Sequence, residues 1–391
     1  MKVVAITTFP PSEYPASSFG YNAILRFLEG PEIGQIVVLA DAVNETEPHT
    51  FDNRLTVERC WHYNSLLSPI CIILAVIKHK PDVIWLNLQY TLFGSRPLPM
   101  FLGLLLPACL KRLGYPIVLL LHHYLTVVDL AKIGITIPWA VKISLRWVDD
   151  IVMKSLTTAD RVFTMVRAYE AHLSTKYPRA NVQFVEQDLF KVLSFHPVCA
   201  DQSHIVTLGY FGTYKKLEIL LDAFQLVRQS LPNARLTVGG QNSPHTPGYI
   251  EHLAHRYAGR LDNVQFLGYV KDEDVPELFW DANVVCVTNA TIPGSSGVLR
   301  LAAAYSRGVV VPHVDLFQGL HLDGWGVVYY EAGNVESLAI ALLEALTNPD
   351  KQTKMAIANR RKAMQSNNQF QRAHLQAFRD LSTSTRQQGA T

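Results

Sequence analysis

Charge is scarce in this 391-residue chain. Only 17% of residues are Asp, Glu, Lys or Arg, and the formal net charge is +2. No basic run stands out, so nucleic acid is not an expected partner. With 49% hydrophobic residues, disorder is excluded as well. Cysteine is sparse too: Cys60, Cys71, Cys109, Cys199 and Cys286 are scattered, without a CxxC pair. That spacing argues against a zinc site or a disulfide framework and fits a reducing cytosol. Long apolar runs are missing. Leu66–Ile77 and Leu98–Leu110 are the longest, and both fall short of the roughly 20 residues a membrane span needs. The opening MKVVAITTFPP is too short an apolar run for a signal peptide and reads as a first strand. A cytoplasmic protein is expected, at most resting on the inner face of a membrane.

What is present is alternation. The length suits two domains. Strand-like runs lie at Val3–Thr8, Gln35–Ala40, Leu55–Trp61, Val83–Leu88, Ile117–Leu121, Arg161–Val166 and Val182–Glu186. Helical periods lie at Gly20–Glu29, Leu66–Lys78, Leu98–Leu113, Ile137–Leu156 and Arg167–Lys176, and Pro10–Phe19 reads as a loop. Gln187–Gln202 has no clear period and reads as a linker. Strands then recur at His204–Leu208, Arg235–Val238, Val264–Leu267, Val284–Val287 and Gly308–Val311, with helices between them. Such alternation implies two parallel sheets built from βαβ units, with ligands expected at their carboxyl edges, across a cleft. The boundaries read as 1–190, 203–366 and a C-terminal piece, 367–391, whose helix at about Gln369–Leu381 is expected to pack on the first domain.

The segment LGYFGTYKKLEILLDAF, Leu208–Phe224, carries the chemistry most worth following. A strand leads into a turn with Gly209 and Gly212, then Lys215 and Lys216, then a helix whose Leu217, Leu220, Leu221, Phe224 and Val227 share one face. Free amides, the helix dipole, a cation and glycine's close approach suit a phosphate. The competing reading is an ordinary strand–turn–helix with solvated lysines. Gly294-Ser295-Ser296-Gly297 precedes the helical run Val298–Tyr305 and offers a second diphosphate cradle, against the alternative of a plain Ser N-cap. His122 ends a buried strand beside His123, and Asn87, Gln89 and Tyr90 leave another. Asp272-Glu273-Asp274 looks like a metal-binding DxD, but before Pro276 it reads better as helix capping. Asp149-Asp150 reads as a solvated helix face.

The run NVQFLGYVKDEDVPELFWDANVVCVTN, Asn263–Asn289, resembles the second domain of retaining family-4 glycosyltransferases, which have the GT-B fold. Leu208–Phe224 resembles a second family segment, Gly239-Gly240 a third and Asn334–Ala339 a fourth. The resemblance implies two Rossmann-like domains facing each other and a hexosyltransferase-type enzyme, taking a sugar from a nucleotide-diphosphate sugar to a glycan or lipid-linked acceptor with retention. It implies donor contacts from Gly212, Lys215, Lys216, Gly240, Tyr269, Val270, Gly294, Ser295, Ser296, Gly297 and Val298. It implies His122 at the sugar, and Ser18, Gly20, Gln89 and Tyr90 on the acceptor side. No metal and no cofactor beyond the donor substrate is implied. The chain departs from the family where two glutamates are expected, at Gly294 and Ala302. A non-catalytic GT-B protein that binds a sugar nucleotide, or partners another glycosyltransferase, therefore stays open. Leu98–Leu113 and Ile137–Leu156 combine apolar bulk with cations and Trp139 and Trp147. They suit peripheral membrane contact, unless they are buried core helices.

Overall fold

The computed structural model describes the chain except residues 13, 44–51, 123–138, 189–194, 199–201, 214, 244–245, 261, 272, 289–295, 315–316 and 389–391. Two compact units emerge. One holds Met1–Phe190 and Asn368–Thr391, the other Lys191–Ile292 and Ser296–Asn367.

In the first unit seven strands pair in the order β3-β2-β1-β4-β5-β6-β7. They are β1 (Lys2–Ile6), β2 (Gln35–Asp41), β3 (Leu55–Trp61), β4 (Val83–Leu88), β5 (Ile117–Leu121), β6 (Arg161–Thr164) and β7 (Val182–Phe184), all parallel. β4 and β5 are buried at every residue, which is why β5 is an unbroken aliphatic run and β4 is apolar except for Asn87, instead of alternating. Helices α2 (Ser68–His79), α3 (Pro97–Leu104), α4 (Leu106–Arg112), α5 (Trp139–Leu156) and α6 (Arg167–Lys176) follow α1 (Pro15–Leu28). Side chains of α2, α4, α5 and α6 share one core with Val4, Ile6 and Leu86. α1 shares the other, with Val3, Ala5 and Trp85.

The second unit has six parallel strands in the order β10-β9-β8-β11-β12-β13. These are β8 (His204–Phe211), β9 (Arg235–Asn242), β10 (Val264–Gly268), β11 (Val284–Cys286), β12 (Gly308–Pro312) and β13 (Val327–Tyr330). Between and after them run α7 (Leu217–Ser230), α8 (Tyr249–Tyr257), α9 (Val275–Trp280), α10 (Gly297–Ala304), α11 (Val335–Thr347) and α12 (Pro349–Gln388). Phe224, Val227, Leu338 and Leu342 close its core.

Four elements differ from the sequence reading. α1 starts at Pro15, where the ring's fixed φ suits a first helical residue, so Ser18 and Gly20 lie inside a helix. The expected helix Leu98–Leu113 is two helices that meet at Leu105, because Pro107 has no N–H for the carbonyl four residues back. β13 was not foreseen; its four residues alternate half-buried and buried, too short a signal to stand out. α12 runs for 40 residues, although only its last part carries an apolar period strong enough to read. Phe370, Leu375, Ala377 and Phe378 of that part pack in the first unit's core.

In the described part of the linker, His196 meets Trp280 ring to ring at 4.3 Å, with the planes tilted by 33°. Its carbonyl accepts a hydrogen bond from the Arg307 guanidinium, which also donates to the carbonyls of Phe279, Trp280 and Ser306. Arg307 is fully buried. Four carbonyls replace the water it loses, as a buried charge requires.

Candidate functional site

The carboxyl ends of β8 and β9 place two glycines side by side, Gly209 against Gly240. Their φ angles are +140° and +134°, open to glycine and strained for other residues. A Cβ on Gly240 would stand 1.8 Å from the Gly209 carbonyl oxygen, and one on Gly209 would stand 2.5 Å from Lys215 Nζ. The backbone is thus bared, and the ammonium lies directly over it. Beside Gly209 a cavity of about 410 Å³ opens, lined by Leu208, Tyr210, Gly240, Gln241, Tyr269 and Val270, with Val275 and Pro276 of α9 and Leu301 and Tyr305 at α10. Its walls are mostly apolar, as small-molecule sites usually are.

Lys215 enters on a turn closed by its own amide, which donates to the Gly212 carbonyl at 2.9 Å. Its Nζ sits 5.4 Å from the centroid of the Phe211 ring. Among the described residues no carboxylate bridges it, and burial alone pushes the ammonium down from 10.5 to about 8. A desolvated cation without a counter-ion among the described residues, beside bare backbone and a cavity, suits an anion.

The start of α7 is less available than its sequence implies. Lys216 is the N-cap residue, exposed and left-handed at φ +45°. The Leu217 amide donates to Tyr249 Oη at 3.0 Å and the Ile219 amide to the Lys216 carbonyl. Glu218, in the first turn, takes the Tyr249 hydroxyl. Two of the amides expected to face a phosphate are therefore engaged within the protein, and a carboxylate stands among them. The side chain of Lys215 is what remains.

Of the other donor candidates, Gly240, Tyr269 and Val270 line the cavity, and Gly212 is buried in the turn. Ser296 caps α10, its Oγ accepting from the Leu299 amide at 3.3 Å, while Gly297 is exposed and Val298 half-buried. Gly294 and Ser295 lie outside the described residues, as do His123 and Asp272. Asp274 takes the N-cap position of α9, yet its side chain makes no capping bond. Leu301 and Tyr305, four apart on α10, were not foreseen as cavity walls. Ala302 between them is completely enclosed and is not one of the cavity's walls.

In the first unit, His122 is 7% exposed. A chain of hydrogen bonds fixes its tautomer from the far end. The Thr7 hydroxyl donates to the Thr8 carbonyl, the Asn87 amide donates to Thr7 Oγ1 at 3.0 Å, and Asn87 Oδ1 must then accept from His122 Nε2 at 2.5 Å. Phe19 meets the imidazole edge-on at 4.8 Å. A Cβ on Gly20 would press within 2.6 Å of Thr7 Oγ1, so Gly20 admits the helix to this chain. Ser18 is exposed, and its carbonyl takes the Asn22 amide. Gln89 is half-buried, and the Tyr90 hydroxyl donates to Met153 Sδ, packing its ring toward α5. Among the described residues no group of three or more His, Cys, Asp and Glu is placed to hold a metal.

Residues 202–348 match the model of the family described as Glycosyl transferases group 1. Mannosylfructose-phosphate synthase of Agrobacterium fabrum is 28% identical over 145 residues, 36% of this chain and 32% of that protein. The match thus spans about a third of that relative's length. Among solved structures, sucrose-phosphate synthase of Thermosynechococcus elongatus superposes with a TM-score of 0.75 at 16% identity, covering 98% of this chain and 100% of that one. HepE of Anabaena in complex with UDP gives 0.66 at 15% identity, with both chains covered completely. At these identities the likeness is one of fold, and the fold is GT-B.

Proposed function

We propose that the chain is a glycosyltransferase that takes its sugar from a nucleotide-diphosphate sugar bound in the second unit. The observation that carries this reading is Lys215: a largely desolvated ammonium without a carboxylate partner among the described residues, beside Gly209, which lines the cavity. The family match supports it, since 202–348 contains every one of these residues. In this reading Lys215 sits against the diphosphate, and the base and ribose occupy the cavity beside Tyr269 and Val270. The bond between the anomeric carbon and the diphosphate breaks, and the acceptor oxygen bonds to that carbon with retention. The acceptor proton leaves on the departing diphosphate or on water. The main protein contribution is electrostatic, placed where charge builds up on the leaving group. His122, held in one tautomer by Asn87, is the side chain assigned to the transferred sugar.

A second reading has a specific observation in its favour. The family's paired carboxylates have no counterpart at Gly294 and Ala302, and the cavity wall presents Leu301 instead. A sugar-nucleotide-binding protein without turnover would tolerate that loss. Thermal shift against a panel of nucleotide sugars, followed by measurement of released nucleoside diphosphate with and without sugar acceptors, separates the two. Stabilisation with acceptor-dependent release supports the enzyme. Stabilisation without release supports the binding protein, and no stabilisation by any nucleotide defeats both.

A further inference from the structure

We propose that the first unit rests on an anionic phospholipid bilayer through the outward side of α2. This does not depend on the reading of the second unit. α2 is apolar all round. Ile72, Ala75 and Val76 enter the core, while Leu67, Ile70, Leu74 and Ile77 recur on the opposite side at 64, 54, 61 and 43% exposure. A helix that only covers a sheet carries polar groups there. α3 packs beside α2, and α5 beside α3. They add Leu98 and then Trp147, Val148 and Ile151, all exposed. Of the two stretches expected from sequence to touch a membrane, Leu98–Leu113 contributes less, because Leu104, Leu106 and Leu110 are buried.

Charge selects the occupant. Residues 59–122 hold six Lys and Arg and one acid, Asp82. Asp82 is tied to the Lys2 amide at 2.7 Å. Arg59 is held by the carbonyls of Phe9, Pro10 and Asp41, and Lys78 and Lys111 pair with Glu58 and Asp160. Lys80, Arg96 and Arg112 are exposed and make no ion pair among the described residues. Each stands beside exposed apolar side chains: Lys80 at the end of the α2 stripe, Arg96 before Leu98, Arg112 before Leu113. On α5, Asp149 and Asp150 are matched by Lys176 and Lys154. Apolar side chains fringed by unmatched cations fit acyl chains under anionic headgroups. A second copy of the same face would set cation against cation. Among the described residues no helix is long and apolar enough to cross a membrane, so the contact lies on the surface.

The test is co-sedimentation of the full chain at low salt with vesicles of phosphatidylglycerol and phosphatidylcholine, against phosphatidylcholine alone. The wild type should pellet with the anionic vesicles only, and added salt should release it. Leu67→Asp with Leu74→Asp, and separately Lys80→Ser with Arg96→Ser and Arg112→Ser, should each cut the bound fraction by roughly ten-fold or more. An unchanged melting temperature in both variants shows that the unit is still folded. The proposal falls if the wild type does not pellet or pellets equally with both vesicles. It falls if either variant binds like the wild type. A dimer in solution that Leu67→Asp with Leu74→Asp dissolves, without vesicle binding, replaces it with a self-contact.

Discussion

Replacing Lys215 by methionine should move stability and ligand binding in opposite directions. Methionine keeps an unbranched side chain and removes the charge. The ammonium, lowered from 10.5 to about 8, is protonated at neutral pH in the folded and unfolded chain alike. The folded chain therefore carries the full cost of desolvating it. At about 1.4 kcal/mol per pH unit, that cost is about 3 kcal/mol as an upper limit; Lys215 keeps some solvent contact, which screens it. Between pH 8 and 10.5 the unfolded chain holds a proton the folded chain has lost, so wild-type stability rises across that window. The variant should thus be the more stable at pH 7, by several degrees if 1 kcal/mol moves the midpoint by about 2–4 °C. Its advantage should shrink as pH passes from 8 to 10.5. If the proposed donor site is right, the nucleoside diphosphate of the nucleotide sugar that stabilises the protein should bind the variant more weakly by roughly 10- to 150-fold, the worth of a charge-assisted contact of about 1.5–3 kcal/mol. Scanning calorimetry over this pH range and titration calorimetry with that nucleoside diphosphate measure both. A variant less stable than wild type at pH 7 refutes the desolvated cation, and unchanged affinity for the nucleoside diphosphate refutes the phosphate contact.

Gly240→Ala should destabilise the second unit by at least about 3 kcal/mol in urea melts, because its Cβ would stand 1.8 Å from the Gly209 oxygen. Asn87→Ala leaves His122 Nε2–H and Thr7 Oγ1 without their buried partner; denaturant melts should show a loss of about 1–3 kcal/mol for each group left unpaired. If His122 serves the transferred sugar, His122→Ala should lower turnover more than donor affinity in a product-release assay, and wild-type turnover would make the residue structural. Ala302→Glu would put a carboxylate at a fully buried position; a lower melting temperature is expected, and a gain in donor affinity would show that residue 302 reaches the ligand.

The parallel sheets were legible because a strand covered on both faces must be nearly all apolar, and β5 and most of β1 and β4 say so in their letters. Lys215 was legible from its place after a strand and a glycine turn. Its isolation from carboxylates was not, because Glu218 lies three residues away in sequence and turns instead to Tyr249. The engagement of the α7 amides depends on that same tyrosine, which arrives from α8 and leaves no local trace. The cavity walls at Leu301 and Tyr305 look like any buried helix face, and only the turn of α10 distinguishes them from Ala302. The apolar side of α2 was plain as composition and mute as to direction. A helix hydrophobic all round does not say which side the sheet takes.

The first unit is assembled from both ends of the chain, and this has a consequence for synthesis on the ribosome. Residues 1–190 emerge first, yet Phe27, Trp85 and Phe163 stay uncovered until Phe370, His374 and Phe378 arrive to meet their rings. Residues 191–367 must be translated in between, which takes roughly 10–35 s at about 5–20 residues per second. The second unit, contiguous over nearly all its length, can close within that interval. The half made first is thus the half finished last, and it waits with an aromatic surface exposed. That interval is when the nascent chain is most open to chaperones and to aggregation, and a stop codon before residue 368 would make the exposure permanent.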